Sequence, residues 1–171
     1  MVTTLPDVRR ARDVAEHVPD PELPMLTLAD LGVLRSVEIG ADGTVVASLT
    51  PTYSGCPAMA EMRAAVAARL TAAGYPRVEV RTVLDPPWTT DWITPAGRRK
   101  LAEHGIAPPG PAPRHTPGPV PLVLSPVRRA VACPRCGSPD TEETSRFGAT
   151  SCKALWRCLA CREPFEYVKE I

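Results

Sequence analysis

Aromatic side chains are scarce in this 171-residue chain: three Trp, three Tyr and two Phe. Any core must therefore be built mainly from Val, Leu, Ala and Met. An excess of either charge is also missing, with 20 basic against 19 acidic groups and a net charge of +1. That excludes the strong basic field expected of a protein whose main partner is the phosphate backbone, so no nucleic-acid partner is expected. No apolar run approaches the roughly 18 residues that span a bilayer, so no membrane partner is expected either. Met1 to Val14 holds Asp7, Arg9, Arg10, Arg12 and Asp13 and lacks an apolar h-region, so a secretory signal is not expected and a cytoplasmic protein is. The three histidines, His17, His104 and His115, are scattered. They offer no Ser-His-Asp or Cys-His pairing, and no Gly-rich loop runs into Lys-Ser/Thr to cradle a phosphate. Nothing here marks a catalytic machine.

Proline, by contrast, is abundant: 21 residues, about 12% against a usual share near 5%. Eight of them fall between Ala107 and Ala130. Such a run lacks too many backbone donors for a helix or a central strand and favours polyproline-like geometry. Residues 107–130 are expected to form a semi-rigid linker. The alternative is a strap lying on the N-terminal domain through Leu122-Val123-Leu124. Charge divides the chain the same way: residues 1–106 carry 11 basic and 13 acidic groups, the linker 3 and 0, and residues 131–171 carry 6 and 6.

Within residues 1–106, Leu5, Val8, Ala11, Ala15 and Val18 form one helical stripe that Pro19 ends. Val33, Val37 and Ile39, then Val45, Ala47 and Leu49, flank Asp42-Gly43 and predict a β-hairpin. Met59, Met62, Val66, Leu70 and Ala73 predict a long helix stopped by Gly74. Arg77 to Leu84 reads as a third strand, and the intervening helix allows it to lie parallel to the second. Thr94-Pro95 supplies the cap and first position of a short helix closed by Gly105. In Asp85–Ile93, Trp88 and Trp92 are expected to close the core or the sheet edge, or else to form an interaction patch.

Cys56 sits where the second strand's loop meets the long helix, with Pro57 suited to the first helical position. Orphan amides and the helix dipole there are expected to lower the thiol pKa. A thiolate at that place can bind a soft metal or attack an electrophile; the alternative is a buried structural cysteine. Thr50, Thr52, Tyr53 and Ser54 crowd the same loop with hydroxyls. Asp20, Glu22 and Asp30 are its acidic companions, as acid/base groups or hard-metal ligands, or simply as turn and cap residues.

Residues 131–171 hold Cys133-Pro134-Arg135-Cys136-Gly137 and Cys158-Leu159-Ala160-Cys161, two C-x-x-C pairs 21 residues apart. Two such turns complete a tetrahedral thiolate shell for structural zinc. With little apolar surface in the segment, metal must supply much of its folding free energy. The expected form is a zinc ribbon of short antiparallel strands around Phe147, Leu155, Trp156, Phe165 and Tyr167. Iron in a rubredoxin-like site uses the same ligands; Gly137 fits that knuckle, while Arg162 replaces the second glycine. Cys152 lies off both pairs beside Lys153, which is expected to lower its pKa. It is a spare thiol, a substitute ligand, or a second functional cysteine working with Cys56.

The whole is therefore an α+β chain: a small three-stranded mixed sheet with two to three helices, then a proline-rich linker, then a zinc-ribbon module. Asp20-Pro21-Glu22, Asp30-Leu31-Gly32 and Thr50 through Cys56-Pro57 resemble the signature of the SufT-like iron–sulfur assembly domain across roughly residues 7–84. Added to Asp85-Pro86-Pro87-Trp88, Glu103-His104-Gly105-Ile106-Ala107-Pro108-Pro109 and the C-terminal module with Arg146-Phe147-Gly148 and Cys152-Lys153, the pattern resembles the accessory proteins of multicomponent phenylacetyl-CoA epoxidases. The resemblance implies a non-catalytic maturation factor of aerobic phenylacetate catabolism, acting on an iron–sulfur cluster of the reductase or the di-iron centre of the oxygenase. It implies Cys56 as transient ligand of iron or a cluster, with Asp20, Glu22 and Asp30 shaping its loop, and Cys133, Cys136, Cys158 and Cys161 holding the structural metal. Protein clients and the iron–sulfur assembly machinery are the implied partners. The competing readings are a zinc-ribbon adaptor for nucleic acid or protein without metal transfer, against which the 6-to-6 charge balance weighs, and a thiol enzyme, which lacks a base placed by sequence.

Overall fold

The computed structural model describes residues 7–53, 55–113 and 131–171. Helix α1 (Val8–Glu16) starts where Asp7 accepts a hydrogen bond from the Arg9 amide at 2.9 Å, satisfying one of the orphan donors of the first turn. Ala11, Ala15 and Val18 are fully buried, whereas Val8 is 43% exposed. The expected stripe thus loses its first described member, which lies in the opening turn; Leu5 lies outside the described residues. Strands β1 (Leu34–Ile39) and β2 (Val45–Leu49) pair antiparallel, with Val37 opposite Ala47 and Ile39 opposite Val45. Their turn needs Gly43, which sits in the left-handed region at φ 81°. Helix α2 (Met59–Ala72) crosses back to β3 (Val78–Thr82), which lies parallel to β2. The order β1-β2-β3 makes β2 central. Its Val45, Ala47 and Leu49 are fully buried under Met62, Val66 and Leu70 of α2. This is the mixed three-stranded sheet expected from a hairpin followed by a helical crossover.

Thr94 caps α3 (Pro95–Glu103) by accepting from the Gly97 amide at 3.0 Å. The chain then passes Gly105 into a two-residue strand, β4 (Ile106–Ala107). Strands β5 (Thr141–Ser145), β6 (Lys153–Cys158) and β7 (Pro164–Val168) are antiparallel, as expected of a ribbon. β4 joins them, parallel to β7, in a sheet of order β4-β7-β6-β5. One sheet therefore joins the ribbon to the strand that follows α3. Val168 of β7 packs into the N-terminal core, and the Thr90 amide donates to the Ile171 main-chain oxygen at 3.1 Å.

The expected linker begins inside β4. Its next residues also lie against the fold: Arg98 donates to the Pro109 carbonyl at 2.5 Å, and the Ala112 amide donates to Asp91 at 3.0 Å. Residues 114–130, including Leu122-Val123-Leu124, lie outside the described set.

The ribbon core is smaller than expected. Trp156, Phe165 and Tyr167 are buried, the first and last meeting edge-on with centroids 5.8 Å apart. Leu155 is 39% exposed because the period-2 alternation of β6 turns it away from the face that buries Ala154 and Trp156. Phe147 is 67% exposed, with the Lys169 ammonium 4.8 Å from its ring centroid. Among the described residues no helix is long and apolar enough to cross a membrane.

Candidate functional site

Two cysteine groupings stand on this frame. The first is the ribbon's. Cys133 and Cys136 come from the turn before β5, Cys158 from the last position of β6 and Cys161 from the turn between β6 and β7. Gly137 and Arg162, each the residue after the second cysteine of its pair, both take left-handed φ, 73° and 65°. The two knuckles are therefore equivalent in backbone, and Arg162 adopts the conformation a glycine would adopt freely. All four sulfurs lie within 4.8 Å of one another, with Cys133–Cys161 at 3.8 Å and Cys136–Cys158 at 3.6 Å. Sulfurs about 2.3 Å from a tetrahedral Zn²⁺ sit about 3.8 Å apart, so the donor set fits zinc.

The protons of this group are unevenly held. The hydrogen bond from the Cys161 amide, against the opposing effect of desolvation, brings Cys158 down to about 7. At Cys161 the Glu163 amide acts to lower the value, but desolvation and the neighbouring Cys158, Cys136 and Cys133 thiols outweigh it and push the group up to about 12. A dication in place of the shared protons removes that conflict.

The second grouping lies at the seam between the ribbon and the N-terminal sheet. Helix α2 begins at Met59 with Ala58 as its cap residue, two positions later than the Pro57 start expected from sequence. Cys56 is consequently outside the helix, its amide donating to the Tyr53 carbonyl at 3.2 Å. Its thiol lines a largely enclosed cavity together with Asp20, Glu22 and Thr52. Cys152 and Lys153 reach the same cavity from the ribbon side, and Trp88 closes it with its indole N–H donating to the Leu31 carbonyl at 2.9 Å. The space open to water-sized atoms is about 30 Å³.

Electrostatics reverse the expectation for Cys56. Burial pushes its thiol above the ordinary value; the Ala58 amide works against this, and Glu22, Cys152 and Asp20 add to it. Burial is the larger effect, and the nearby acids reinforce it, so the thiol is not held as a thiolate by the helix end. Asp20 is itself buried, and desolvation raises its carboxyl despite amide bonds from Leu23 at 2.8 Å and Glu22 at 2.9 Å. Those bonds make it the organiser of the acidic loop.

The remaining sequence candidates divide. Asp30 is not among the residues lining the cavity. It accepts from the Thr27 amide at 3.1 Å and Thr94 hydroxyl at 3.3 Å, and pairs with the Lys100 ammonium at 2.6 Å. It ties α3 to the loop before β1. Thr50 is 1% exposed, and its hydroxyl has no hydrogen-bond partner among the described residues; Ser54 lies outside them. Lys153, expected to act on Cys152, is 6% exposed and bonds Glu166 at 2.9 Å. Cys152 instead meets the Thr150 hydroxyl at 3.1 Å. Sequence reasoning missed the seam contacts: Tyr53, three residues before Cys56, meets Ser151, beside Cys152. The only sequence signal for this meeting was a leftover thiol in each module.

Comparison with known proteins follows the same division. Residues 9–84 match the family model described as iron–sulfur cluster assembly protein, and residues 118–169 match the PaaD zinc beta ribbon domain. A candidate component of the 1,2-phenylacetyl-CoA epoxidase of Escherichia coli (strain K12) is 44% identical over 164 residues, 96% of this chain and 93% of the other. An Fe-S protein maturation auxiliary factor of Porphyromonas gingivalis (strain ATCC BAA-308 / W83) is 32% identical over 76 residues, 44% of this chain and 71% of the other. Among solved structures, the domain of unknown function DUF59 from Bacillus anthracis superposes with a TM-score of 0.50 at 26% identity, covering 55% of this chain and 90% of that one.

Proposed function

Because the chain belongs to the PaaD family, with an iron–sulfur assembly module followed by the family's zinc ribbon, we propose that it is an accessory factor of a phenylacetyl-CoA epoxidase system that helps mature a metal centre of that enzyme. In this reading residues 1–106 act as the assembly domain, 107–130 as the proline-rich connection and 131–171 as the ribbon. The observation that carries the reading is Cys56: a thiol in an enclosed cavity, flanked by the Asp20 and Glu22 carboxylates.

Such a pocket suits transient custody of a thiophilic cargo. Release requires that the thiol readily take back its proton, and a thiol whose pKa is raised by burial does so at neutral pH. The cargo, iron or an iron–sulfur cluster, is the substrate of this activity. Zinc is a separate, resident metal that Cys133, Cys136, Cys158 and Cys161 would hold. It would supply structure only, since a closed four-thiolate shell leaves no open position. Thr52 borders the cavity, and Trp88 helps exclude water from it. The clients are the reductase and oxygenase components of the epoxidase, with the cellular assembly machinery as donor, all in the cytoplasm.

The test is co-expression of the reductase component with wild-type chain, with Cys56→Ser, or with neither. The expected result is full iron and acid-labile sulfide in the reductase only with the wild type, while the variant keeps its far-UV spectrum and its zinc. Normal cluster content with Cys56→Ser overturns the proposal.

A further inference from the structure

Cys152 is a thiol outside the zinc shell, carried by the loop before β6 into the cavity that holds Cys56. We propose that Cys56 and Cys152 together form a binding site for a single thiophilic metal cation, half of it built by the assembly module and half by the ribbon. This rests on the reading of Cys56 as a cargo ligand and deepens it, naming the second ligand and the size of the cargo.

Three observations carry it. Cys56 and Cys152 line one cavity, where Cys152 acts electrostatically on Cys56, and Tyr53 meets Ser151 between the two loops that hold them. The charge around them is negative: Asp20 and Glu22 line the cavity, and the one ammonium present, Lys153, is matched by Glu166 at 2.9 Å. Two acids against one matched ammonium in an otherwise apolar lining favour a cation over an anion. Size then selects among cations. A water needs roughly 10–15 Å³ of such space, so the 30 Å³ here admits about two waters. One ion fits that space.

Among the described residues, the ribbon cysteines are the only group of three or more donors gathered closely enough for one ion. At the seam, therefore, the carboxylates contribute charge and the two sulfurs contribute bonds. Soft thiolates select thiophilic or borderline metals over Mg²⁺ and Ca²⁺. Binding forms two Sγ–metal bonds and releases two thiol protons to solvent. Solvent or a client donor completes the shell, which leaves the ion transferable.

The experiment uses the full chain, reduced and anaerobic, with its ribbon loaded with zinc, titrated with Co²⁺. Cobalt binds such sites more weakly than zinc, so it leaves the ribbon metal in place. One Co²⁺ per chain with a thiolate-to-cobalt charge-transfer band in the near ultraviolet is expected. Cys56→Ser and Cys152→Ser should each weaken binding at least tenfold and roughly halve the band, with one zinc retained per chain as the check on folding. Cys152→Ala serves as a second variant if the serine form loses its zinc. Absence of the band in the wild type, or unchanged affinity and band in both Cys152 variants, overturns the inference. If Cys152 proves dispensable for cobalt while Cys56→Ser still starves the reductase of its cluster, this inference fails and the maturation role stands. If both thiols bind cobalt but neither variant alters the client, the metal site stands and the maturation role fails.

Discussion

Substituting Asp30 separates a carboxylate that builds the fold from those that build the cavity. Its side chain accepts from the Thr27 amide at 3.1 Å, the Thr94 hydroxyl at 3.3 Å and the Lys100 ammonium at 2.6 Å. Asp30→Asn keeps an acceptor for Thr27 but removes the charge facing Lys100. A hydrogen bond to a charged group contributes about 1.5–3 kcal/mol when well shielded. The Lys100 side chain is 39% exposed, and screening brings the pair to about 1 kcal/mol. Asp30→Ala also orphans the Thr27 amide, worth about 1 kcal/mol as for a helix cap, and strips the Thr94 hydroxyl of an acceptor, for a total of about 2–3 kcal/mol. At roughly 2–4 °C per kcal/mol for a chain of this size, melting falls by about 2–4 °C in the first variant and about 4–12 °C in the second.

The pH dependence fixes the mechanism. Burial alone would raise the Asp30 carboxyl, but the Lys100 bond and charge and the Thr27 contacts outweigh it and hold it below 3.8. A depressed folded-state value stabilises the fold above the unfolded pKa, and the contribution is lost as pH falls through the folded one. Urea denaturation followed by tryptophan fluorescence should therefore show the Asn deficit in full at neutral pH and shrinking below about pH 4. Cobalt binding at the seam should be unchanged in Asp30→Asn throughout. A deficit independent of pH refutes the reasoning, as does loss of cobalt binding without loss of stability.

Two further outcomes follow from the same geometry. Gly32 sits at φ 68°, and a Cβ there would fall 2.6 Å from the Trp92 Cβ and 2.7 Å from its carbonyl; Gly32→Ala should cost about 2–4 kcal/mol from the left-handed backbone and the overlap together, read as a lowered urea midpoint. Removing zinc with a strong chelator should disorder β5 to β7 and withdraw Cys152, Lys153 and Val168 from the seam, so that mass spectrometry finds Cys56 alkylated several-fold faster; an unchanged rate would mean that the ribbon does not cover it.

The parts legible in the sequence were those set by local chemistry. Thr94-Pro95 named its helix start, Asp42-Gly43 its hairpin, and the helix between β2 and β3 made their parallel pairing readable. The four ribbon cysteines announced their shell by spacing alone. What escaped was set by distance along the chain. β4 has two residues, too few for any periodicity, and its partner β7 lies some 60 positions on (166 − 106). Without that pairing the ribbon reads as a detached module and Cys152 as a leftover. The Cys56 pKa was misjudged for the same reason: the fold buries the thiol, and secondarily brings Glu22, Cys152 and Asp20 to it from other loops. Asp30 shared a motif with Asp20 and Glu22 yet faces α3, since sequence proximity does not set direction.

The pairing of β4 with the ribbon strands also has a consequence in time. During synthesis β3 is complete at Thr82 and β6 begins at Lys153, 71 positions later (153 − 82). At about 5–20 residues per second that interval lasts roughly 4–14 s. Throughout it the N-terminal sheet has the material to fold, and the Cys56 loop stands open to the medium. A nascent chain thus passes through a stage in which an assembly partner, or an oxidant, reaches Cys56 without having to part the ribbon from it. The order of emergence makes the seam the last part of the molecule to be completed.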